Sequence, residues 1–319
     1  MTGAERAEPP KVSVVICTRN RAYAIVNCLA AIDEAARRVS PVVIEVVVAD
    51  NGSIDDTTAV VQRWAEQASV LVRVEHEDRA GIPIAKNRGL RAARGEILVL
   101  TDDDCRMAPD YFVELLRLFA HDASHVALRG GRVELGNPGD LPLTIKTEPD
   151  VRHWHISERS AHTENLGNCF LGCNLFMHRS VYEALGPFDE RFGVGAIPAG
   201  EDTDYIFRAY EAGFRLEYHP NLVVEHFHGR SKPEQARKLW EHYMIGSGAL
   251  YAKHLFKCPS LCLQAKWDIK SLVNELLTGK NLFLPEYGFS YATKFRCYAK
   301  GATSFLFASG PAHSQEARR

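Results

Sequence analysis

Two groups of neighbouring carboxylates stand out in this chain: Asp102-Asp103-Asp104, and Glu201-Asp202 followed by Asp204. Adjacent acids repel, and uncompensated repulsion raises at least one pKa, whereas a bound divalent cation reverses that balance. Carboxylate oxygens are hard donors, so Mg2+ or Mn2+ is the expected ion, held with positions left open for substrate phosphates. The plainer explanation for Asp102-Asp103-Asp104 is an acidic turn before a helix that starts near Pro109. For Glu201 and Asp202, likewise, the plainer explanation is that they are caps at a helix N-terminus. His226 follows an apolar strand and is a candidate further ligand. It and His228 are expected on opposite faces of that strand, so that at most one reaches a metal.

The elements that must position these residues alternate along the first hundred positions. Lys11–Thr18 is an apolar, β-branched run closed by Arg19-Asn20-Arg21, and helical composition follows over Ala22–Arg38. Val42–Ala49 stops at Asp50-Asn51-Gly52-Ser53 before a helix reaching about Gln67, with Asp55 and Asp56 in its first turn. Leu71–His76 and Ile97–Thr101 are two more strands, separated by a helix over Ile82–Ala93. Strand and helix in alternation with short connections predict a parallel sheet, whose C-terminal strand ends bind ligands. Thr18, Arg19, Asp50, Asn51 and the acids at 102–104 all fall on that edge. No G-x-x-x-x-G-K-[ST] and no G-x-G-x-x-G follows the first strand, so a bound nucleotide would be held by side chains and a metal. Asp50 can accept from a base or ribose, and Arg79, Lys86 or Arg88 can approach phosphates.

The second half is less regular. Residues 130–167 read as a long loop on the acceptor side, with His153-Trp154-His155 as an exposed cluster or with Trp154 packed on the sheet. Asn168–His178 is a strand candidate, Val181–Leu185 a short helix, and the glycines between Gly193 and Gly200 permit a mobile loop before the second acidic group. Arg215–Tyr218 and Leu222–Glu225 read as two short strands around Pro220, and Pro233 to about Phe256 as a long helix weakened by Gly246 and Gly248. Beyond Lys257 aromatic residues mix with lysines. That blend can rest on an anionic membrane surface or pack on the main domain.

Composition narrows the partners. Lys plus Arg (38) nearly balances Asp plus Glu (40), so no basic field argues for nucleic acid. The eight cysteines are scattered, and the pairs Cys169/Cys173 and Cys258/Cys262 lack the tight repeated spacing of zinc sites, so buried reduced thiols are expected. Met1–Pro10 is polar rather than a signal peptide, and no run of about 18 apolar residues is present. A cytoplasmic location, soluble or peripheral at the cytoplasmic face of a membrane, is the expectation.

Taken in order, these segments resemble the family 2 glycosyltransferases with the GT-A fold over roughly Lys11 to Lys232. Thr18-Arg19-Asn20-Arg21 is similar to that family's nucleotide loop, and Asp50-Asn51-Gly52-Ser53 with Asp55 and Thr57 to its second-strand motif. Ala85-Lys86-Asn87-Arg88-Gly89 resembles A-R-N-x-G with lysine for arginine. Asp102-Asp103-Asp104 matches D-x-D, Glu201-Asp202 with Asp204 resembles E-D-x-D, and His226 with Ser231 resembles the closing histidine and serine. The resemblance implies an α/β GT-A domain over residues 11–232, divided at 130 into a nucleotide-binding and an acceptor half. A helical extension over 233–311 and disordered ends at 1–10 and 312–319 complete the expected organisation. It further implies metal-dependent, inverting transfer of a sugar from a nucleoside diphosphate donor, most often a UDP-sugar, to a carbohydrate or lipid-linked acceptor. In that scheme Asp104, Asp102 and His226 hold the metal. Thr18, Arg19, Asp50, Lys86, Asp102 and Asp103 line the donor site. Asp202 is the general base, with Glu201 as the substitute. A nucleotidyltransferase fits less well for want of a glycine-rich basic loop after the first strand, and a silent nucleotide-sugar binding module is the other alternative.

Overall fold

In a computed structural model of the chain, the described residues are 9–122, 126–193 and 195–308. The ends expected to be disordered lie outside them, apart from Pro9 and Pro10. The β-branched runs form a parallel half-sheet. β1 (Val12–Thr18) pairs with β2 (Ile44–Asp50), aligning Thr18 with Asp50, and β3 (Leu71–His76) adds to β2. On its other side β1 pairs with β4 (Ile97–Asp102), aligning Cys17 with Asp102. Alternate residues enter different cores: Val12, Val14, Ile16 and Val99 on one face, Val15, Val47, Leu98 and Leu100 on the other. Helices α1 (Ile25–Arg37), α2 (Thr57–Ala65) and α3 (Ile82–Ala92) connect the strands. Burial on both faces is why these strands read as unbroken apolar runs.

Beyond β4 the sheet turns mixed. The later strands are β5 (Cys105–Met107), β6 (Ala127–Leu135), β7 (Arg152–Trp154), β8 (Asn174–His178) and β9 (Arg215–His226). The order is β3-β2-β1-β4-β8-β6-β9-β5, with β7 on β9. Two expectations fail here. Residues 130–167 are not all loop, because β6 lies inside the sheet, antiparallel to β8 and parallel to β9. Its Gly130 and Gly131 leave room for Phe170 and Asn174, which a Cβ would meet at 2.2–2.3 Å, and Arg129 is buried between Asp122 (2.5 Å) and Glu217 (2.7 Å). Second, the two short strands around Pro220 are the single strand β9. The register skips from His219 to Val223 against Gly131 and Arg132, and Pro220, which has no N–H to donate, sits in the unpaired bulge. Trp154 is buried, donating from Nε1 to Glu164 at 2.6 Å, so only His153 of that trio is exposed.

The remaining helices are α4 (Tyr111–Ala120), α5 (Arg179–Leu185), α6 (Glu201–Glu211), α7 (Pro233–His254), α8 (Pro259–Thr278) and α9 (Tyr291–Phe307). The C-terminal helices join the main core: Ala249, Leu250, Leu261 and Phe305 share a cluster with Leu166, Phe192 and Phe207. Gly246 and Gly248, weak points for an isolated helix, are close-approach points here. A Cβ on Gly246 would lie 2.5 Å from the Ala199 carbonyl, and one on Gly248 2.1 Å from that of Tyr298.

Candidate active site

β4 delivers Asp102 to the C-terminal edge of the sheet, and the turn into β5 presents Asp103 and Asp104. The Thr18 hydroxyl donates to Asp103 at 2.7 Å. Arg21, its side chain half exposed, reaches Asp103 at 3.7 Å and Asp104 at 3.6 Å. The β5–β9 pairing sets Cys105 opposite His226, which brings His226 Nε2 to 3.3 Å from Asp104. The other imidazole nitrogen, Nδ1, lies 3.1 Å from the Thr144 hydroxyl and 3.4 Å from its carbonyl. Donation from Nδ1 to Thr144 would leave the Nε2 lone pair aimed at the acids, the usual arrangement of a metal-ligating histidine.

The electrostatics match a site that wants a cation. Burial pushes Asp103 up to about 6 against the Thr18 hydrogen bond and Arg21. Burial also raises Asp102, with Lys86 opposing and Asp104 reinforcing. Asp104 goes down despite burial, because the His226 hydrogen bond and the charges of His226 and Arg21 outweigh it. His226 correspondingly rises to about 9, the bond to Asp104 overcoming burial. One oxygen each from Asp102 and Asp104 and one nitrogen from His226 fall within 4.8 Å of one another, a donor set suited to a hard divalent ion. The sulfurs of Cys105 and Cys173 form a second, buried group with His226, and all eight cysteines are free thiols. The expectation for the histidine pair was wrong in its geometry. Residues two apart on a strand share a face, and the rings of His226 and His228 meet edge-on at 5.3 Å. His228 Nδ1 instead accepts from the Arg230 N–H at 3.0 Å.

The second acidic group starts α6. Gly200, at φ 111°, makes the turn into the helix, and Glu201, Asp202 and Asp204 occupy its first turn. Lys86, its side chain 5% exposed on α3, donates to Glu201 at 3.1 Å and to Asp202. Burial works against the Lys86 charge, but Asp202 and Glu201 hold it well above the usual lysine range. Asp202 is pushed up to about 7, by burial first and by Glu201 next, with Lys86 opposing. Its side chain keeps 26% exposure, so this recessed carboxylate still faces solvent. Lys86 is also the leading cation acting on Asp102, and Asp102 acts on Asp202. The two acidic groups therefore feel one another's charge. Asp204 turns the other way, fully buried against His254 (2.8 Å) and Lys253 (2.6 Å) of α7.

The loops at the edge of β1 and β2 are tied together. Backbone N–H groups of Asn20 and Arg21 donate to Ser53 and Thr57, and Ile54 N–H to the Asn20 side chain. Asp50, only 2% exposed, accepts from Ser53 N–H at 2.9 Å and from the Thr58 hydroxyl, so it organises its own turn. Those bonds hold its carboxyl below the usual range despite burial. Arg19 is exposed at the mouth of this wall. Arg79 pairs with Glu77 and Glu190, and Arg88 with Glu75. Ser231 is exposed just ahead of α7. Three residues were not singled out by sequence reasoning. Arg21 was read only as part of a motif. A Cβ on Gly172 would sit 1.7 Å from Asp202 Oδ2, so only glycine leaves space for that carboxylate; an isolated glycine in a strand-like run was the available signal. Arg230 has a buried, unpartnered Nη1 and acts on Asp104. A groove of about 840 Å³ lies at the opposite strand edge near Lys11, Arg94 and Glu96, lined by none of these acids.

The sequence profile described as Glycosyltransferase like family 2 matches residues 9–241. Glycosyltransferase AglE of Haloferax volcanii is 27% identical over 217 residues, 68% of this chain and 67% of that protein. The glucosyl-dolichyl phosphate glucuronosyltransferase of the same organism is 25% identical over 247 residues, 73% of this chain and 75% of its own length. Other relatives match over less of themselves, such as 41% of the Bacillus subtilis protein EpsH, a putative glycosyltransferase by name. Among solved structures, the mannosyltransferase PcManGT of Pyrobaculum calidifontis in complex with GDP-Man and Mn2+ superposes with a TM-score of 0.58 at 20% identity, covering 94% of this chain and 88% of that one.

Proposed function

The chain belongs to the family 2 glycosyltransferases, and from that premise we propose that it moves a sugar from a nucleoside diphosphate donor to an acceptor hydroxyl with inversion at the anomeric carbon. Asp202 takes the acceptor proton. The acceptor oxygen bonds to the anomeric carbon from one face while the bond to the diphosphate oxygen breaks on the other, and the electron pair leaves with the diphosphate. One base suffices, since no covalent sugar intermediate is needed. A pKa of about 7 suits the task, because the carboxylate is substantially ionised at neutral pH yet basic enough to accept a proton. Lys86 fixes the orientation of Asp202 and Glu201, and Glu201 is the substitute base.

Asp102, Asp104 and His226 would hold Mg2+ or Mn2+, which when bound supplies positive charge beside the departing diphosphate. Arg21 and Arg230 line the same region and suit phosphate oxygens. Thr18, Arg19 and Asp50 form the wall for the base and ribose, with a UDP-sugar as the expected donor. The acceptor is a carbohydrate or a lipid-linked saccharide, and for the latter the C-terminal third would lie on a cytoplasmic membrane surface. Support for the lipid-linked class comes from the dolichyl phosphate in the name of one relative.

The observation that supports the reading is Lys86, hydrogen-bonded to both Glu201 and Asp202 and, after burial, the leading influence on Asp102. It is tested by following nucleoside diphosphate release from a panel of UDP- and GDP-sugars with Mn2+. Asp202→Asn should lower turnover by about 10²–10⁴ while a thermal shift from donor plus Mn2+ persists. Undiminished turnover in that variant would remove Asp202 from the role.

A further inference from the structure

α8 carries its polarity the wrong way round for a helix on the surface of a protein in water. Its two acids point inward. Asp268 accepts from Lys294 at 2.8 Å and from the Tyr298 hydroxyl at 3.0 Å, and Glu275 accepts from the backbone N–H groups of Leu282, Tyr291 and Ala292, so it caps α9. The outward arc holds Trp267 (55% exposed), Ile269, Val273, Leu276 (70%) and Leu277 (81%), interleaved with exposed Lys266 and Lys270. Helical spacing places 266, 270, 273 and 277 on one stripe, with 269 and 276 on one flank and 267 on the other. No acid of α8 is on that arc, although the whole chain carries a net charge of −2. Lys270 lies 5.1 Å from the Trp267 ring, its stem along the apolar face. No helix among the described residues is long and apolar enough to cross a membrane.

We infer that the outer face of α8 is a docking surface for an anionic lipid bilayer, with the helix lying in the plane of the interface. This rests on the reading above only where it places a lipid-linked acceptor within reach of the site; the surface itself follows from the helix. Its chemistry fits one occupant. Leucine, isoleucine, valine and tryptophan side chains enter the boundary between headgroups and acyl chains, and the lysines meet anionic headgroups. A neutral surface satisfies only the first half of that pattern.

The test is co-sedimentation of the purified full-length chain with phosphatidylcholine vesicles, with and without phosphatidylglycerol. The chain should sediment with the anionic vesicles at least about tenfold better than with neutral ones, and less well as salt rises. Replacing either Lys266 or Lys270 by Gln should weaken binding roughly fivefold, and Leu277→Glu should abolish it. Lys294→Gln, altering an inward-facing lysine, should leave vesicle binding unchanged wherever the variant folds. A donor-plus-Mn2+ thermal shift kept by the outer-face variants shows that they are folded and that the donor site is independent of the surface. Sedimentation with neither vesicle type, or equal sedimentation with both, overturns the inference. So does concentration-dependent self-association, without vesicles, that Leu277→Glu abolishes, which would assign the face to a second copy of the chain. None of these results bears on Asp202, and loss of turnover in Asp202→Asn does not bear on them.

Discussion

The strand-end acids and the helix-start acids are made of the same groups and meet opposite surroundings. Asp102, Asp103 and Asp104 end a strand, and their partners can be displaced: Arg21 is half exposed, and the His226 pKa is raised against burial by its bond to Asp104 and the neighbouring charges. Glu201 and Asp202 begin a helix, where backbone N–H groups and the dipole favour negative charge. Their partner, Lys86, is buried and has no exit. Burial and the neighbouring Glu201 nevertheless raise Asp202, while Asp104 is lowered. The difference teaches a division of labour. Under the proposed function, exchangeable compensation would leave room for a cation arriving with substrate, and fixed compensation would tune the basicity of one carboxylate.

Asp104→Asn is the harshest way to break that contrast. It removes a carboxylate from the strand-end set and should abolish the Mn2+-dependent part of the donor thermal shift, with transfer falling by on the order of 10³, the several kcal/mol a bound metal contributes. Asp202→Asn should lose transfer alone. If both variants keep the shift, or both lose it, the two acidic groups do not divide the work as proposed.

Lys86→Met comes next in expected size. Two recessed carboxylates would lose the cation hydrogen-bonded to both of them, which typically costs about 3–5 kcal/mol; urea denaturation measures it. The pH profile of transfer should move as well. Wild-type rate should rise as pH passes about 7 and Asp202 gives up its proton. Lys86 opposes that rise in pKa, so removing it pushes Asp202 further up and shifts the rising limb to higher pH. Lys86→Arg, which keeps the charge on a bulkier group, should return the limb toward its original position. A limb that stays near 7 in Lys86→Met shows that this lysine does not tune the base.

Why one acidic group was easier to find than the partners of the other is a matter of local against distant signals. β1 to β4 were legible because strands buried on both faces leave unbroken β-branched runs, each closed by polar residues; Leu71–His76 matches residue for residue. β6 was hidden because its sequence, ALRGGRVEL, spends three central positions on a buried arginine and two glycines, whose reasons lie in Asp122, Glu217, Phe170 and Asn174 elsewhere in the chain. The merger across Pro220 was hidden because a proline usually ends a strand and here fills a bulge. Within the site, carboxylates announce themselves by type, whereas Gly172 matters only because Asp202, thirty positions later, needs the space above it. Lys86 was assigned to phosphates from its charge and its motif. Its contact with Glu201 and Asp202, more than a hundred positions away, is one that no local pattern encodes.

The smallest effect concerns what holds the helix-start group in place. Asp204 accepts from His254, whose other nitrogen meets Glu211 at 2.6 Å, so α7 anchors α6 just beyond Asp202. Burial lowers the His254 pKa, but its bonds to Asp204 and Glu211 outweigh that and raise it above the ordinary 6.5. A histidine with a raised folded pKa adds stability that is fully present below its unfolded pKa and disappears as pH climbs through the folded one. His254→Gln should therefore destabilise by about 1–2 kcal/mol near pH 6, with the deficit shrinking steadily above 6.5. Urea midpoints measured between pH 5.5 and 9 would show it, and a deficit independent of pH would mean that His254 holds α6 by packing on Phe207 rather than by charge. The strand-end acids offer a matched control. Nothing in α7 pairs with them, so Mn2+-dependent donor binding should be almost unchanged in His254→Gln even where its stability is lowest.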